Sequence, residues 1–445
     1  MINPLLMYMK MSENLVSAAQ LSDFLNISLS TVSRQLNQLI AGGVVVRFGK
    51  GKNTRFIYLR EVPDVDQPVI VREINEQAKI SVVRKLWITH QGSLMETGNE
   101  LQHYNGLPWY FLDLKPSGFI GRSIAEYASH RINTPIKLEN WSHDDLLRYL
   151  VNFHNETPSH FEFFANYKPR LLRYNAKPQR KILKDYDNYV DTLDQTIDID
   201  SSAGGEQPKF NYRLHDSDNN SIKSYLVKFS PKLGVGNPIA ERVKDLLVCE
   251  HVALAVLAEY NGHAVSTTLQ RSDDRLYLEI IRFDRVPVHY MEGQVGVVSL
   301  DAVINQYIGS QPLNWVEASI GLKEKGILSE SDAHLLQTWF AYSCFIGNND
   351  TYNENVCLFL KELKTNGLTP AFDISPMIYM PTMGDIPSPE IRIKKPNNID
   401  GECWALGRKL GLNFWSQVVK NKTLSDDFVG IAKQWISYIK FMAAL

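Results

Sequence analysis

The chain has little that points to a secreted or membrane protein. Its 445 residues include only four cysteines (Cys249, Cys344, Cys357 and Cys403), which stand in apolar surroundings without CxxC spacing. We therefore expect buried, reduced thiols and no disulfides or metal ligands. No apolar run approaches ~18 residues, and the first ten residues are too short for a signal peptide. These absences predict a cytoplasmic protein that does not contact a membrane.

A strong charge of one sign is also missing. The formal net charge is −2, so any contact with nucleic acid must come from a local basic patch. The length predicts two or three domains, and the 44% hydrophobic content is enough for real cores. We find no internal repeat and no low-complexity segment. The stretch Glu61–Pro68 contains proline and aspartate and is interpreted as a linker. We divide the chain into residues 1–62, 63–235 and 236–445.

The N-terminal segment has the pattern of a winged helix-turn-helix. Residues 17–26 predict a short amphipathic helix, and Ser30–Ala41 predicts a second helix with Ser30 as its N-cap. Gly42 and Gly43 end that helix. Two strands follow, Val44–Arg47 and Thr54–Leu59, around a basic turn that predicts the wing. The apolar contacts of the unit are expected from Ala19, Leu25, Ile27, Val32, Leu36 and Leu39.

The polar face of this unit fits DNA. Short polar groups and one guanidinium on the second helix suit base edges and phosphates, and the wing adds positive charge. The DNA-binding residues predicted are Ser28, Thr31, Ser33, Arg34, Arg47, Lys50, Lys52 and Arg55. The alternative is a winged helix used only for protein contact or dimerisation.

Two motifs near the C-terminal end carry chemistry. Asp350 and Asn355 have the spacing of a kinase catalytic loop, where the Asp accepts a hydroxyl proton and the Asn holds a metal ion. An apolar strand, a turn around Asn366–Gly367 and a second acid, Asp373, follow in kinase order. The Asp-x-x-x-x-Asn spacing alone arises by chance about once in a chain of this length. The order of the parts is what carries the prediction.

Three further parts precede these motifs in the same order. A small-residue loop, Ser201–Lys209, offers backbone N–H groups to phosphates. The strand Ser224–Phe229 carries Lys228, and the helix Val243–Tyr260 carries Glu250, a natural partner for that lysine. Each part alone also fits an ordinary loop, a lysine that reaches solvent, or a paired core glutamate. Six parts in kinase order predict a phosphotransferase.

The motifs together resemble those of the HipA family of bacterial serine/threonine kinase toxins. The matching stretches are S-S-A-G-G-E-Q-P-K, L-V-K-F, I-R-F-D-R, G-N-N-D-x-x-x-x-N and F-D-I-S-P, and the resemblance covers about residues 80–445. The chain is similar to the stand-alone, YjjJ-like branch, which has a fused helix-turn-helix. The resemblance implies an α+β chain in which a winged helix-turn-helix precedes a two-lobed kinase fold, related to protein and phosphoinositide kinases, with a mostly helical C-lobe.

The resemblance also implies roles for individual residues. Asp350 matches the catalytic base, Asn355 and Asp373 match the Mg²⁺ ligands, and Ser202 matches a serine whose autophosphorylation ejects the phosphate-binding loop. Asp284 matches a structural acid. The residues implied in ATP binding are Gly204, Gly205, Glu206, Gln207, Pro208, Lys209, Lys228, Glu250, Ile281, Arg282, Phe283, Tyr352, Asn353, Glu354, Asn355 and Asp373.

The resemblance implies a cellular protein substrate that the sequence does not identify. In the family a separate helix-turn-helix antitoxin restrains the kinase, whereas here the DNA-binding unit is in cis. A HipB-like antitoxin and self-regulation without one therefore both stay open. Tyr352 and Glu354 depart from the family pattern, and Glu354 is expected to place negative charge beside the triphosphate. They leave two alternatives: an ATP-sensing transcriptional regulator with a degenerate kinase fold, and a kinase for small molecules or lipids.

Overall fold

The chain contains both helices and strands, and the strands form several separate sheets. The computed structural model describes residues 3–12, 15–98, 100–153, 158–165, 183–194, 207–216, 221–234, 236–289, 291–382 and 384–442. None of the helices within these ranges is both long and apolar enough to span a bilayer.

The N-terminal unit consists of three helices and a hairpin. Its elements are α1 (Pro4–Met11), α2 (Ala18–Leu25), α3 (Leu29–Ala41), β1 (Val45–Phe48) and β2 (Arg55–Tyr58). Ser17 and Gln20 form a capping box at the start of α2, and Asn26 ends it in the left-handed conformation. The turn to α3 is therefore only three residues long. A small core of its own includes Leu5, Met9, Leu21, Val32 and Leu36.

Three details of this unit differ from the sequence prediction. Ser28, and not Ser30, caps α3, because its side chain accepts the Thr31 N–H. Ala19 is exposed, and Leu21 supplies the buried contact on α2. Helix α1 was not predicted, although Asn3 caps it and Pro4 occupies its first position, which are both favourable start signals.

The middle unit has a five-stranded antiparallel sheet of its own. The strands are β3 (Val69–Ile74), β4 (Ile80–Thr89), β5 (Gly92–Thr97), β6 (Glu100–Tyr104) and β7 (Phe161–Ala165), in the order β6-β5-β4-β3-β7. Three helices accompany the sheet: α4 (Trp109–Leu112), α5 (Gly118–Ile132) and α6 (His143–Asn152). The sequence predicted strands here from Ile80 onward but no separate sheet.

The predicted linker is packed against this unit. Val62 and Val65 pair with each other and belong to the large core, with 4% and 8% of their surface exposed. Arg60 makes two hydrogen bonds of 2.6 Å with the carboxylate of Asp144 on α6. The segment is therefore a tight, buried connection, because its valines find apolar partners that composition alone did not reveal.

A second sheet lies C-terminal to the middle unit. Its strands are β8 (Lys209–Asp216), β9 (Ser221–Phe229), β10 (Thr267–Arg271) and β11 (Leu276–Ile281), in the order β10-β11-β9-β8. Helix α7 (Leu183–Asp194) precedes the sheet, and α8 (Pro238–Asn261) connects β9 to β10. The boundary drawn at residue 235 therefore falls between two strands of one sheet.

The remaining chain is mainly helical, as expected. Its strands are β12 (Arg285–Val288), β13 (Met291–Gln294), β14 (Val297–Ser299), β15 (Cys357–Lys361) and β16 (Lys364–Leu368). Its helices are α9 (Leu300–Tyr307), α10 (Trp315–Glu324), α11 (Glu330–Ile346), α12 (Gly401–Lys420) and α13 (Asp426–Met442). Trp315, Trp339, Trp415 and Trp435 are almost fully buried between these helices.

The turn between β15 and β16 is not where the sequence predicted it. Glu362 and Leu363 form the turn, both with positive φ, as a two-residue type I′ hairpin requires. Asn366–Gly367 lies inside β16, opposite an irregularity between Leu358 and Leu360. Gly367 has φ +81°, so the glycine serves a bulge and not the turn.

Direct packing connects the three units. Phe48 of the hairpin packs edge-on against Trp87 of β4, with ring centroids 5.0 Å apart. At the turn between β3 and β4, a Cβ added at Gly293 would lie 2.0 Å from the Glu76 carbonyl oxygen, so the two backbones touch. The middle sheet therefore joins the N-terminal hairpin to the C-terminal unit.

The four cysteines are free thiols, and two of them are less buried than the sequence predicted. Cys249 and Cys403 are buried, and Cys344 and Cys357 are partly buried. Cys403 also lies beside His334 and Asp400, with possible ligand atoms within 4.8 Å of one another. The Asp400 carboxylate accepts the N–H groups of Glu402 and Cys403, which makes this group the cap of α12.

Candidate active site and basic N-terminal surface

A buried ionic cluster connects the second sheet to the helical unit. The Lys228 Nζ on β9 lies 2.8 Å from both carboxylate oxygens of Glu250 on α8 and 2.5 Å from Asp373 Oδ1. Lys228 is 1% exposed and Glu250 is fully buried. Buried charges of this kind persist only when they are paired. The predicted Lys–Glu pair is thus formed, and the second acid joins it.

Two carboxylates, those of Glu250 and Asp373, share the single ammonium group of Lys228. Burial would raise the pKa of Asp373, but the nearby Lys228 and Lys209 hold it at about 2. Burial raises the pKa of Glu250 to about 7, although Lys228 opposes the shift. Burial would lower the pKa of Lys228, yet Asp373 and Glu250 keep it above its usual range. Asp373 and Lys228 therefore stay charged, and the more deeply buried Glu250 binds a proton more readily than usual.

Two lysines lie side by side at this point. Lys209 on β8 is the direct cross-strand neighbour of Lys228 on β9. Both lysines line a cavity of about 600 Å³. Like charges opposite each other destabilise a sheet unless anions lie between them. The cavity is therefore suited to a group that carries several negative charges.

Asp350 lies in the same cavity, on the loop that follows α11. Its N–H donates to Asn348 Oδ1 (3.0 Å), and Asn355 Nδ2 donates to its carbonyl oxygen (2.9 Å). These bonds fix the loop. Burial and then the charge of Asp373 raise the pKa of Asp350. A carboxylate with a raised pKa is a better proton acceptor.

Asp373 comes directly after Phe372, which packs against a second aromatic ring. It has φ +54°, an uncommon value for a residue with a side chain. Phe372 packs against Phe283, with ring centroids 5.7 Å apart. Asp373 and Asn355 line the same cavity as Asp350. Carboxylate and amide oxygens are the ligands that Mg²⁺ prefers, so this pair could hold the ion.

A second cavity of about 340 Å³ adjoins the first. Its walls are mostly apolar and include Leu226, Val265, Ile280, Phe283 and Phe372. Ser117, Lys228 and Asp373 line both cavities, so the two form one continuous cleft. An apolar pocket beside one that contains two lysines fits a base linked to a polyanion.

The predicted hinge segment borders this second cavity. Ile281, Arg282 and Phe283 all line it. Arg282 donates to both oxygens of Asp284, at 3.0 and 2.7 Å, and Arg285 donates to Asp284 at 2.8 Å. Although burial alone would raise the pKa of Asp284, the two guanidinium groups hold it well below its usual range. The acid thus fixes the segment, as the resemblance implies.

The cleft brings together most of the predicted residues that the structure describes. Those lining the polar cavity are Gln207, Lys209, Lys228, Asp350, Tyr352, Asn355 and Asp373. Glu354 lines the apolar cavity beside the hinge, and not the lysine-rich part where its charge was expected. Among the described residues, Pro208, Glu250 and Asn353 line neither cavity: Glu250 reaches the cleft only through Lys228, and Asn353 donates to the Leu313 carbonyl. Ser202, Gly204, Gly205 and Glu206 lie outside the described residues.

Two walls of the cleft were not predicted by the sequence analysis. The segment Asp113–Gly121 of the middle unit lines the apolar cavity, and Ser117 and Gly118 also reach the polar one. Met377, Ile378 and Met380 form an apolar wall of the polar cavity that also contains Asp350. Both are contacts between distant parts of the chain. The glycines and proline around residues 116–121 were the only local signal.

The basic N-terminal residues are mostly at the surface. Ser28, Ser33 and Arg34 of the α3 region are exposed, and Thr31 is partly exposed. Arg47, Lys50 and Lys52 of the hairpin are also exposed. Arg55 is used differently, since its guanidinium donates to the carbonyls of Lys52 (3.1 Å) and Thr54 (2.9 Å) and holds the turn.

The fold and the cleft together define a kinase-like arrangement, in which a sheet lysine pairs with a helix glutamate across from two acids and an asparagine. Two family models match the chain. Residues 65–166 match the YjjJ-like toxin, middle domain, and residues 201–431 match the HipA-like C-terminal domain. The chain is 31% identical to Toxin YjjJ of Escherichia coli (strain K12) over 429 residues, which cover 94% of this chain and 93% of that protein. The chain belongs to the HipA-like toxin family.

Two solved structures share part of the fold at low similarity. A chain of the HipA, HipB and operator DNA complex of the Shewanella oneidensis MR-1 toxin–antitoxin system aligns with a TM-score of 0.48 and 13% identity, over 74% of this chain and 83% of that one. The Helicobacter pylori proinflammatory kinase CtkA aligns with a TM-score of 0.33 and 14% identity, over 50% and 90%. The family assignment rests on the sequence matches alone.

Proposed function

We propose that this protein is an ATP-dependent serine/threonine kinase that phosphorylates a cellular protein and itself. The observation that carries the proposal is the Lys228 ammonium, held between Glu250 and Asp373 in the cavity that also contains Asp350. Family membership agrees with it. The same cleft has an apolar pocket for the adenine and two lysines for the phosphates.

Each side chain has a role in this proposal. The hinge residues Ile281–Phe283 border the adenine, and Lys228 and Lys209 bind the phosphates. Asp350 accepts the proton of the acceptor hydroxyl, and its raised pKa favours that transfer. Met377 and Met380 in the same cavity offer an apolar wall for the substrate segment that carries the hydroxyl.

A magnesium ion fits the residues present. The Asn355 amide donates through Nδ2, which leaves its oxygen for a cation, and the Asp373 carboxylate is ionised near neutral pH. A bound Mg²⁺ would supply positive charge to offset the negative charge that develops during phosphoryl transfer. Asp373 and Asn355 would hold it.

The regulatory part of the proposal rests on sequence. Ser202 is the proposed site of autophosphorylation, because it matches the family serine in the small-residue loop. A phosphoryl group there would add about −2 charge where ATP brings its own. The residue lies outside the described part of the chain.

We further propose that the N-terminal unit is a winged helix-turn-helix that binds DNA. The three-residue turn between α2 and α3, the exposed polar face of α3, and the exposed Arg47, Lys50 and Lys52 support this role. The Shewanella complex contains HipB and operator DNA. Here the DNA-binding unit is in cis, and a HipB-like antitoxin is a second proposed partner.

One observation favours a second candidate function. Tyr352 lines the polar cavity and is 69% exposed, where the family pattern has histidine. A site with this change could bind ATP without transferring phosphate, as in a nucleotide-sensing regulator.

Labelled ATP separates the candidates. Purified protein is incubated with Mg²⁺ and labelled ATP, alone, with cell extract and with small-molecule acceptors, and ATP binding is followed by thermal shift. We expect label on the protein itself and on an extract protein. Asp350→Asn should bind ATP normally and transfer phosphate ~10²–10⁴-fold more slowly. Binding without transfer to any acceptor would identify a sensor, and label on small molecules alone a different kinase class.

A further inference from the structure

The first turn of α5 meets the cleft at the junction of its two cavities. Ser117 lines both cavities, and Gly118 lines the lysine-rich one. Lys228 and Asp373 line both cavities as well. A ligand that extends from the apolar pocket toward Asp350 must therefore pass the N-terminus of α5. This helix belongs to the middle unit, outside the segments that carry the kinase motifs.

The chain fixes this helix end in place. Gly118 has φ +64°, which lets the backbone turn sharply into the helix. A Cβ added at Gly121 would lie 2.9 Å from the Pro116 carbonyl carbon, so the preceding loop packs tightly on the first turn. Asp113 accepts the Ser299 N–H at 2.7 Å and also the Ser299 hydroxyl, which joins the loop to the start of α9.

The helix end offers unused donors. The first N–H groups of any helix lack partners within the helix, and their partial positive charge attracts anions. Ser117 occupies the N-cap position, yet its side chain accepts no hydrogen bond from the first turn. Its hydroxyl and these N–H groups remain available to a ligand.

A second donor in the same cavity also lacks a partner. Gln207 lines the lysine-rich cavity and is 7% exposed. Its Nε2 is buried and finds no hydrogen-bond partner in the described part of the chain. An unpaired buried amide is costly, and such groups are rare in folded proteins. An acceptor bound in the cavity would satisfy it.

We propose that the N-terminus of α5 binds the polyphosphate of the nucleotide, through the Ser117 hydroxyl and the first-turn N–H groups, with Gln207 Nε2 as a neighbouring neutral donor. This inference rests on the proposed nucleotide site and extends it. The middle unit then contributes directly to the ligand site. Lys209 and Lys228 supply charge, and α5 supplies directional hydrogen bonds.

The substitution Ser117→Asp tests the proposal. Aspartate is as good an N-cap as serine, so the helix should remain intact, but its charge repels phosphate. We expect the Kd for ATP and for ADP, measured by titration calorimetry with Mg²⁺, to rise about tenfold or more. The Kd for adenosine, which has no phosphate, should not change. Ser117→Ala should show a smaller loss, about threefold.

Ser17→Asp is the matched control. Ser17 is the N-cap of α2 in the N-terminal unit, far from the cleft in the fold, and its substitution should leave all three affinities unchanged. An unfolding midpoint close to wild type shows that Ser117→Asp is folded.

Each result has a distinct meaning. Wild-type affinities in Ser117→Asp would overturn this inference and leave the proposed nucleotide site standing. Equal losses for ATP and adenosine would mean a distorted cavity and would also overturn it. A wild-type protein that binds none of the three ligands would refute the proposed function itself.

Discussion

The N-terminal unit and the cleft use charge in opposite ways. Arg34, Arg47 and Lys52 point into solvent, whereas Lys228 and Glu250 are buried and paired. Exposed charges contribute little to stability and act on distant partners through a field that salt screens. A buried charge must keep its partner, because an unpaired one is strongly destabilising. The same residue type, lysine, is thus dispensable to the fold in one unit and required in the other.

The largest expected effect concerns Lys228. Lys228→Ala leaves Glu250 buried without its cation, so we expect a loss of about 3–5 kcal/mol in the free energy of unfolding. This structural role adds to its proposed contact with ATP. Lys52→Ala should change stability by less than about 0.5 kcal/mol. Urea unfolding of both variants measures the two losses in stability. If both losses were equally small, the buried lysine would be no more important to the fold than the exposed one.

The next effect concerns Asp373. Asp373→Asn keeps the shape but removes the ionised group proposed to hold Mg²⁺. We expect the apparent affinity for Mg²⁺, read from the thermal shift with ATP across a Mg²⁺ titration, to fall at least ~100-fold. Asp385→Asn, which changes an exposed acid of the C-terminal unit that does not line the cleft, serves as control. An unchanged titration in Asp373→Asn would exclude this residue as the ligand.

The exposed lysines should affect binding and not stability. Replacing Lys50 and Lys52 by Ala removes two proposed phosphate contacts, which should lower the slope of log affinity against log salt by about two units. The measurement uses DNA that contains the protein's own promoter. The exposed Lys409 and Lys422 of the C-terminal unit form the matched double control. No affinity at low salt would favour a protein-contact role for the unit.

The smallest effect is a pH dependence in the middle sheet. Burial would raise the pKa of Glu73, but the nearby His160 (3.6 Å) and the hydrogen bond and charge of Arg84 (2.7 Å) hold it below its usual range. A carboxylate with a lowered pKa stabilises the fold above the unfolded-state pKa and loses this contribution as the pH falls. Glu73→Gln should therefore be less stable than wild type at pH 7, by urea unfolding. The difference should shrink as the pH falls below about 4.5, and a constant gap would contradict this.

The sequence predicted the parts of the cleft because their order along the chain is informative. Lys228, Glu250, the loop from Asp350 to Asn355, and Asp373 lie in four separate segments of the chain, yet the known order of such parts was enough to group them. Their close packing was not predictable, including the contact between Lys228 and Asp373. The roles of individual site residues stay predictions.

Local signals misled the sequence analysis where two positions offered the same chemistry. Ser28 and Ser30 are both good caps, and the choice depends on where the preceding turn ends. Asn366–Gly367 has the composition of a turn, but the glycine relieves a bulge inside a strand. The wall formed by Ser117 and Gly118 depends on contacts across the fold, which no local pattern contains.

The edge-on contact of Phe48 with Trp87 has a geometric consequence. The N-terminal hairpin packs against β4 of the middle sheet, and the turn between β3 and β4 touches Gly293 of the C-terminal unit. The distance and angle between α3 and the cleft are therefore set by packed side chains, and not by the reach of a flexible tether. If a polymer were bound along α3, the cleft would therefore have one fixed orientation relative to that polymer. Inserting residues into the segment 61–68 would therefore disturb the orientation of α3 relative to the cleft. It would not simply allow the N-terminal unit to reach further.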